Sequence, residues 1–343
     1  QSRKTEVQLL TTERLAALDY LNTGAIFESI LENSWKHLLL AQHHDVQIVG
    51  LLADAREHLD IALSESKQVQ EQVMDYLSEV VKGDGVQKII VFNPLSSAKS
   101  EWIRTKVRFK RGEAKDVAVY TGGKRVPSTI LKADRFSSGF IMEAEIAFKA
   151  ELENFGLETY SLKPCVELER SYTSGIKVDH ENLKISTQVY DLKLSQNGGI
   201  QHMLCKKTNR NIFMPGKRNA YLTGLINGKE YESRGKWIIS KVNPESPWII
   251  ATEYGFISDI PYELQMKIDG NSPRIDWKIT VKLDSQRIGE LSENTRDSTS
   301  PFIHDKKLRF KFYPDLNQKI KGVRDLPFVM AETDSKYIQG NYW

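Results

Sequence analysis

Cysteine is scarce in this sequence, and long apolar runs are missing. Among the 343 residues there are two cysteines, Cys165 and Cys205, which lie far apart and lack the spacing of a metal-binding motif. They say little about the redox compartment, and two buried free thiols are their simplest interpretation.

The signals of a membrane or secreted protein are also missing. No stretch approaches the ~20 apolar residues of a membrane span. Residues 1–10 have no charged head followed by an apolar core, so we recognise no signal peptide. Because a signal peptide can be removed during maturation, the compartment stays open, with the cytoplasm slightly favoured. We expect no membrane partner.

An excess of charge of one sign is likewise absent. The 48 basic and 45 acidic residues leave a formal net charge of +3 and are mixed along the chain. A nucleic-acid-binding protein would need a clustered basic patch, so we expect no nucleic-acid partner. With 40% hydrophobic and 27% charged residues, the composition is that of a globular protein. The length suffices for two or three domains of roughly 100–200 residues.

Residues 1–84 are predicted to form a three-helix bundle. The helices are expected at 13–20 (after the cap candidates Thr11 and Thr12), at 25–42 and at 54–81, where Gly83 and Gly85 follow. Apolar positions recur at steps of three and four, as on a helix with one buried face. In the second helix they are Phe27, Ile30, Leu31, Ser34, Trp35 and Leu38, and in the third Leu59, Ala62, Leu63, Val73, Leu77, Val80 and Val81.

After residue 85 the period of the pattern changes from 3.6 to 2, which predicts half-buried antiparallel strands. One predicted buried face consists of Phe140, Met142, Ala144, Ile146 and Phe148, and another of Ile103, Thr105, Val107 and Phe109. Residues 85–166 are therefore predicted to form a small β-sandwich. The polar residues 169–175 ("ERSYTSG") are predicted to be a linker.

The pattern of residues 167–343 predicts a second, larger β-sandwich. It stays open whether this sequence contains the whole of that sandwich. Asn197–Gly198–Gly199 indicates a hairpin turn. Residues 274–283 alternate regularly, with Ile275, Trp277, Ile279, Val281 and Leu283 on one face. The predicted fold class is thus multidomain, α followed by all-β.

The segment "LLLAQHHDVQIVG" (residues 38–50) carries the one motif that suggests chemistry. His43, His44 and Asp45 emerge where the second helix ends. One interpretation is a helix end: a protonated histidine there is favoured by the helix dipole by ~0.3–1 kcal/mol, and Asp45 caps the next element of the chain. The other is part of a metal site, because imidazole and carboxylate are common ligands of zinc.

The metal interpretation is incomplete on this sequence alone. Consecutive side chains on a helix diverge by ~100°, so we expect one histidine to bind and its neighbour to support it. The remaining histidines (His37, His58, His180, His202 and His304) form no recognised metal-binding spacing.

Taken together, these segments resemble family 38 glycoside hydrolases, the class II α-mannosidases. The bundle with "AQHHD" is similar to the family's His-His-Asp motif, although the residues between the triplet and Gly50 depart from the usual form. "IVFNPLSS" (90–97) and "FGLETYSL" (155–162) are similar to the entry and exit of its first β-domain. "KLRFKFYP" and "QGNYW" are similar to parts of its large β-domain.

The resemblance implies a three-helix bundle, a small β-sandwich and a large mutarotase-like β-sandwich. It also implies that the catalytic α/β domain, with the nucleophile, the acid/base and the other zinc ligands, precedes residue 1. No catalytic residue is then expected in this chain. His44 would be a zinc ligand, His43 a supporting residue and Asp45 a contact to sugar hydroxyls. Tyr221 in "RNAYLTG" would reach the sugar, and residues 340–343 would line the same cleft. A half-exposed strand tyrosine is the alternative for Tyr221, and a buried aromatic cluster the alternative for residues 340–343.

The function that the resemblance implies is hydrolysis of terminal α-linked mannose by a retaining, zinc-dependent α-mannosidase. Such an enzyme needs two carboxyl groups about 5–5.5 Å apart, so we expect this chain alone to be inactive and to hold zinc poorly. The expected partners are mannose-containing glycans and the catalytic domain, and the oligomeric state is open. The alternatives are a non-catalytic carbohydrate-binding β-sandwich protein and a structural assembly module.

Overall fold

The chain divides into two compact units, Gln1–Thr173 and Ser174–Trp343. The computed structural model describes residues 1–48, 51–81, 87–165, 173–226, 229–241, 246–283, 308–315, 322–326 and 329–333. The predicted fold class is confirmed: helices come first and antiparallel sheets follow. None of the helices in the described part of the chain is both long and apolar enough to span a membrane.

Three long helices and one short helix open the first unit. They are α1 (Ser2–Thr23), α2 (Glu28–Gln42), α3 (His44–Ile48) and α4 (Leu52–Val80). The expectation that the first helix starts after Thr11 and Thr12 is wrong, because α1 already begins at Ser2. Thr12 is buried inside the bundle, where its hydroxyl donates to the carbonyl of Ser66 at 3.1 Å. A hydroxyl with a partner on another helix does not need a helix end.

The bundle core forms from the apolar stripes of α1, α2 and α4. Leu31, Ser34 and Leu38 of α2 are buried, as predicted, and Phe27, Ile30 and Trp35 pack around the core. On α4 the stripe runs from Ala55 to Leu77, whereas Val80 is exposed, contrary to expectation. Val81, the next residue, is half-buried against the bundle core, in agreement with the prediction.

The small sandwich completes the first unit. Its strands are β1 (Gln87–Asn93), β2 (Lys99–Arg108), β3 (Asp116–Thr121), β4 (Lys124–Val126), β5 (Ser128–Arg135), β6 (Ile141–Leu152) and β7 (Gly156–Cys165). The two sheets have strand orders β1-β7-β3-β4 and β2-β6-β5. All described pairings are antiparallel, and an apolar core including Val107, Ile146 and Phe148 lies between the sheets.

The predicted alternation along β6 fails at one point. Ile141 and Ala144 are buried, whereas Met142 is 46% exposed. The register of β6 against β5 shifts between Asp134 and Arg135, and such a bulge turns neighbouring side chains to the other face. The expectation that Met142 faces the core is therefore wrong, while the apolar positions from Ala144 onward are buried as predicted.

The bundle and the small sandwich share part of their cores. Phe92 of β1 and Leu157 of β7 pack against the bundle. Nearby, the Arg14 guanidinium of α1 donates to the carbonyl of Pro94 at 2.5 Å. The "FNPLS" segment thus forms part of the contact between the helical bundle and the small sandwich.

The second unit is built of antiparallel sheets. Its strands are β8 (Lys177–Asp179), β9 (Lys184–Ser186), β10 (Tyr190–Leu194), β11 (Ile200–Cys205), β12 (Arg210–Asn211), β13 (Tyr221–Ile226), β14 (Lys229–Glu232), β15 (Arg234–Ile239), β16 (Trp248–Ile257), β17 (Ile260–Asp269), β18 (Ile275–Val281), β19 (Leu308–Lys311), β20 (Gly322–Leu326) and β21 (Val329–Thr333). The larger sheets have strand orders β12-β11-β10-β9-β8, β15-β16-β17-β18 and β14-β13-β19. One apolar core, centred on residues such as Leu192, Ile200 and Leu264, joins them.

Two sequence predictions for the second unit can be compared directly with its observed strands. The hairpin at Asn197–Gly198–Gly199 is confirmed, since β10 pairs with β11 across it. The strand that includes Ile275 ends at Val281, and Ile279 and Leu283 of the predicted apolar face are exposed rather than buried. The two cysteines are half-buried thiols, which corrects the expectation of buried ones. Gly50, Gly83, Gly85, most of the predicted linker 169–175 and residues 340–343 lie outside the described residues.

Candidate functional site

His43 separates α2 from α3 by itself. Its backbone is extended, with φ −61° and ψ 131°, while its N–H still donates to the carbonyl of Leu40 at 3.1 Å. The next helix starts at once with His44, and Asp45 lies in its first turn, where a negative charge is favoured by the helix dipole. The sequence Gln-His-His-Asp therefore forms a helix break that is one residue long.

This break brings the three side chains of the motif together. The rings of His43 and His44 stack with centroids 4.7 Å apart and an angle of 28° between their planes. His44 Nε2 lies 3.2 Å from Asp45 Oδ1, and His43 Nδ1 lies 3.8 Å from Asp45 Oδ2. The divergence of ~100° applies only within a helix. Because His43 is extended, the two imidazoles lie side by side instead.

The His43–His44–Asp45 cluster is open to solvent. The side chains are 53%, 58% and 63% exposed, respectively. At this exposure the contacts between them contribute little to stability. A cluster that does little for the fold and whose ring nitrogens and carboxylate are accessible is suited to an external ligand.

The donor set is suitable for a metal ion. Each of the three residues offers one ligand atom, and these atoms all lie within 4.8 Å of one another. Two imidazoles and a carboxylate are donors that zinc accepts, and a metal ion would draw them slightly closer. Within the described residues no other group of three histidine, cysteine or acidic side chains meets this condition. The cluster therefore fits a metal ion that takes at least one further ligand from elsewhere.

Tyr221, the other residue nominated from the sequence, belongs to the second unit. It is buried on β13, not half-exposed. Its hydroxyl donates to Glu232 Oε1 and lies 3.3 Å from the hydroxyl of Tyr313. The guanidinium of Arg218 lies over its ring at 4.1 Å. Burial, followed by the hydrogen bond with Tyr313 and the charge of Glu232, raises the pKa of Tyr221 well above its ordinary value. The hydroxyl is thus a neutral donor.

The backbone next to Tyr221 is strained. Ala220 has φ 54° and is completely buried. A non-glycine residue in this left-handed region costs about 1–2 kcal/mol, and such strain persists only where its surroundings hold it. Ala220 fixes the direction in which β13 begins, and with it the position of the Tyr221 ring.

Glu253 is a buried carboxyl group that the sequence analysis missed. Its side chain accepts hydrogen bonds from the N–H of Gly199, at 2.7 Å, and from the hydroxyl of Tyr262. Burial raises the pKa of Glu253, although these hydrogen bonds and the charge of Arg218 act in the opposite direction. A sequence signal existed, because Glu253 interrupts the inward-facing apolar positions of β16.

The order of elements, a helical bundle followed by antiparallel β-sandwiches, defines the class: this is the fold of glycoside hydrolase family 38 proteins. A family 38 glycosyl hydrolase from Enterococcus faecalis has a similar structure, with a TM-score of 0.72 and 13% sequence identity, covering 96% of this chain and 46% of that chain. An α-mannosidase from Enterococcus faecalis V583 has a TM-score of 0.64 at 13% identity, covering 82% of this chain and 41% of that one.

The resemblance suggested by the sequence motifs is thus confirmed at the level of the fold. This chain spans less than half the length of each of these two proteins. The sequence matches no protein-family model and no curated protein.

Proposed function

We propose that this chain is the bundle and β-sandwich part of a retaining, zinc-dependent α-mannosidase that removes terminal α-linked mannose from glycans. The observation that carries the proposal is the exposed His43–His44–Asp45 cluster. It lies at a one-residue helix break, in a chain that shares the family 38 fold over 96% of its length. A solvent-facing group of metal donors is difficult to explain by stability alone.

In this proposal the three residues of the motif have different roles. His44 is the zinc ligand, and His43, stacked on it, holds its ring in place. Asp45 accepts hydrogen bonds from the sugar hydroxyls. When bound, the zinc ion orients the sugar ring through its 2- and 3-hydroxyl groups. The carboxylate of Asp45 is 3.2 Å from His44 Nε2, so sugar and metal would be held by adjacent residues.

Tyr221 would contact the sugar through its hydroxyl. The raised pKa keeps this group protonated, so it can donate a hydrogen bond to a sugar oxygen in place of Glu232. Arg218, stacked on the ring and paired with Glu232 at 3.2 Å, restrains both partners during this exchange. Tyr221 would therefore contribute to substrate affinity rather than to bond cleavage.

The bond-breaking groups are proposed to lie in a preceding catalytic domain. A retaining glycosidase uses a nucleophilic carboxylate and an acid/base carboxyl on either side of the scissile bond. We therefore expect the isolated chain to hydrolyse nothing. It should hold zinc weakly as well, because the cluster supplies at most three of the four ligands that zinc usually takes.

The test uses the full-length protein and three single variants. His44→Ala should lose both zinc, measured by elemental analysis, and hydrolysis of 4-nitrophenyl α-mannoside. His43→Ala removes only a supporting group, which typically costs 10–100-fold. His180→Ala, an exposed histidine outside the cluster, is the matched control and should behave like the wild type. Equal and mild effects of His43→Ala and His44→Ala would instead support a role limited to the helix end.

One observation favours a non-catalytic carbohydrate-binding function as the second candidate. Tyr254 and Phe256 lie two residues apart on the outer face of β16 and are 52% and 57% exposed. Lys236 and Glu263 lie opposite Tyr254 on the neighbouring strands, so aromatic and hydrogen-bonding groups are combined as sugars require. The reading frame upstream of Gln1 distinguishes the two functions: a large α/β region with an aspartate at a strand end and a His-x-Asp motif would support the hydrolase.

A further inference from the structure

Two histidines that are isolated in the sequence meet between α2 and α4. Nδ1 of His37 lies 2.7 Å from Nδ1 of His58, although the residues are 21 positions apart. Their ring centroids are 4.9 Å apart with a tilt of 38°. Both side chains are half-buried. His37 precedes His43 by about 9 Å along the axis of α2, so this pair is separate from the His43–His44–Asp45 cluster.

The contact brings the Nδ1 atoms of the two rings, each able to offer a lone pair, within hydrogen-bond distance of each other. In the hydrogen-bonded pair one Nδ1 carries a proton and the other accepts it. If both rings carry their proton on Nε2 instead, both Nδ1 atoms become donors to a cation. We propose that His37 and His58 form a metal site of their own, a two-imidazole chelate for a divalent transition metal such as Cu²⁺, Ni²⁺ or Zn²⁺.

The distances are close to those that chelation requires. A metal–nitrogen bond of about 2.0–2.1 Å places two ligand nitrogens about 2.9 Å apart at a right angle and about 3.3 Å apart in a tetrahedron. The observed distance of 2.7 Å between the two Nδ1 atoms needs to increase by only a few tenths of an ångström. Histidine χ2 is a soft torsion and can supply this movement without displacing either helix.

Water would complete the coordination. Within the described residues no third histidine, cysteine or carboxylate joins the pair. Glu65 on α4, two turns from His58, is already bound by Asn33 at 2.7 Å and Ser34 at 2.8 Å. Because the rings are half-buried, one side of the pair stays open to solvent.

Such a site would couple metal binding to the packing of the bundle. Both ligands must be in place together, and they belong to different helices, so the ion binds only when α2 and α4 are docked. Binding to the folded state alone raises the temperature of unfolding. Copper is the most sensitive probe, because Cu²⁺ binds nitrogen ligands most strongly among the divalent ions of this series.

The experiment is done on the full chain in a His43→Ala/His44→Ala background, which removes the imidazoles of the other cluster. Cu²⁺ should bind at one equivalent and show coupling to two nitrogens in its electron paramagnetic resonance spectrum. His37→Asn or His58→Asn should weaken this binding roughly 100-fold, because the second ligand acts at high effective concentration. The double variant should weaken it no further, since either change alone already destroys the chelate.

Far-UV circular dichroism and the metal-free Tm establish that each variant is folded, and either single variant suffices if the other does not fold. His180→Ala in the same background is the matched control and should leave copper binding unchanged. Unaltered binding in His37→Asn or His58→Asn would overturn the proposal. So would a partial loss in each single variant that adds up in the double variant, because that is the behaviour of independent surface histidines.

Discussion

The carboxyl group of Glu253 lies inside the second unit, where it has no contact with solvent. Its surroundings explain two nearby glycines. A Cβ on Gly198, which has φ 91°, would lie 2.2 Å from Glu253 Oε1, and a Cβ on Gly235 would lie 2.7 Å from the same side chain. The hairpin between β10 and β11 is therefore shaped to cover a carboxyl group.

The raised pKa of Glu253 makes the stability of the chain depend on pH. Between the ordinary pKa of 4.5 and the higher value in the folded state, the native protein binds more protons than the unfolded chain. The free energy of unfolding therefore falls as the pH rises through this window. Glu253→Gln abolishes this titration. Its stability relative to the wild type should increase as the pH rises above 4.5 and level off once the carboxyl group of the folded wild type is ionised, as measured by urea unfolding.

Glutamine preserves the contacts of Glu253 well enough for this comparison. Its carbonyl can accept from Gly199 while its amide donates to the hydroxyl of Tyr262. The matched control is Glu263→Gln, on the outer face of the adjacent strand β17. A constant difference between Glu253→Gln and the wild type across the pH range would contradict the assignment.

At the residue scale, sequence reasoning could find only what is local. The His-His-Asp motif is visible because its members are consecutive, but the stacking of the two rings depends on the extended backbone of His43. The pairing of His37 with His58 depends on how two helices pack, and no spacing in the sequence reveals it. Glu253 could have been found, because a charged residue at an inward position of a strand requires buried partners.

Among the elements, the turn after β1 depends on one side chain. The Nδ2 amide of Asn93 donates to the carbonyls of Ser97, at 2.9 Å, and Glu153, at 2.8 Å, and its Oδ1 accepts from the N–H of Leu95 at 3.1 Å. The side chain is buried. The "FNPLS" segment is thus a turn fixed by the hydrogen bonds of Asn93. It holds two strands in register and supports the helical bundle.

Asn93→Ala should lower the free energy of unfolding by about 2–4 kcal/mol, because it leaves three backbone groups without their partner. Urea unfolding of the whole chain measures this change. Asn22→Ala, at an exposed position on α1 with one local hydrogen bond, is the matched control and should cost no more than about 0.5 kcal/mol. If the two substitutions cost the same, the turn is not held by Asn93.

The elements themselves were predicted with uneven success. Regular alternation identified β2, β6 and β18, because a half-buried strand must alternate. The bulge that exposes Met142 is invisible in that pattern, since it arises from the pairing of β6 with β5. The early start of α1 was missed because the first half of the helix buries polar residues, such as Thr5 and Thr12, which give no apolar periodicity.

For the whole molecule, the order of helices and sheets could be predicted from the change of period near residue 85. The sheet connections could not. β13 pairs with β19, so that Tyr221 lies opposite Lys311 across a long stretch of chain. Pairings at such separation depend on the complete fold rather than on local pattern.

The first unit should fold without the second. Residues 1–173 contain the complete bundle core and the complete small-sandwich core, joined through Phe92 and Leu157. Expressed alone, this unit should show a single cooperative thermal transition and a mixed helix and sheet circular dichroism spectrum. Residues 1–81 alone should melt at a lower temperature, because Phe92, Leu157 and the contact from Arg14 to Pro94 are lost. Strong binding of a hydrophobic dye by 1–173 would argue against a complete core.

The one-residue break at His43 restricts how the length of the bundle can vary. An extra residue within α2 would turn everything after it by about 100° and advance it by about 1.5 Å, which would carry the paired rings and Asp45 to a different side of the molecule. The turn between α1 and α2 has no such constraint, because Gly24 adopts φ 75° and Ile26 is exposed there. Insertions and deletions tolerated by the bundle should therefore collect around residues 23–27 and be absent between Leu31 and His43.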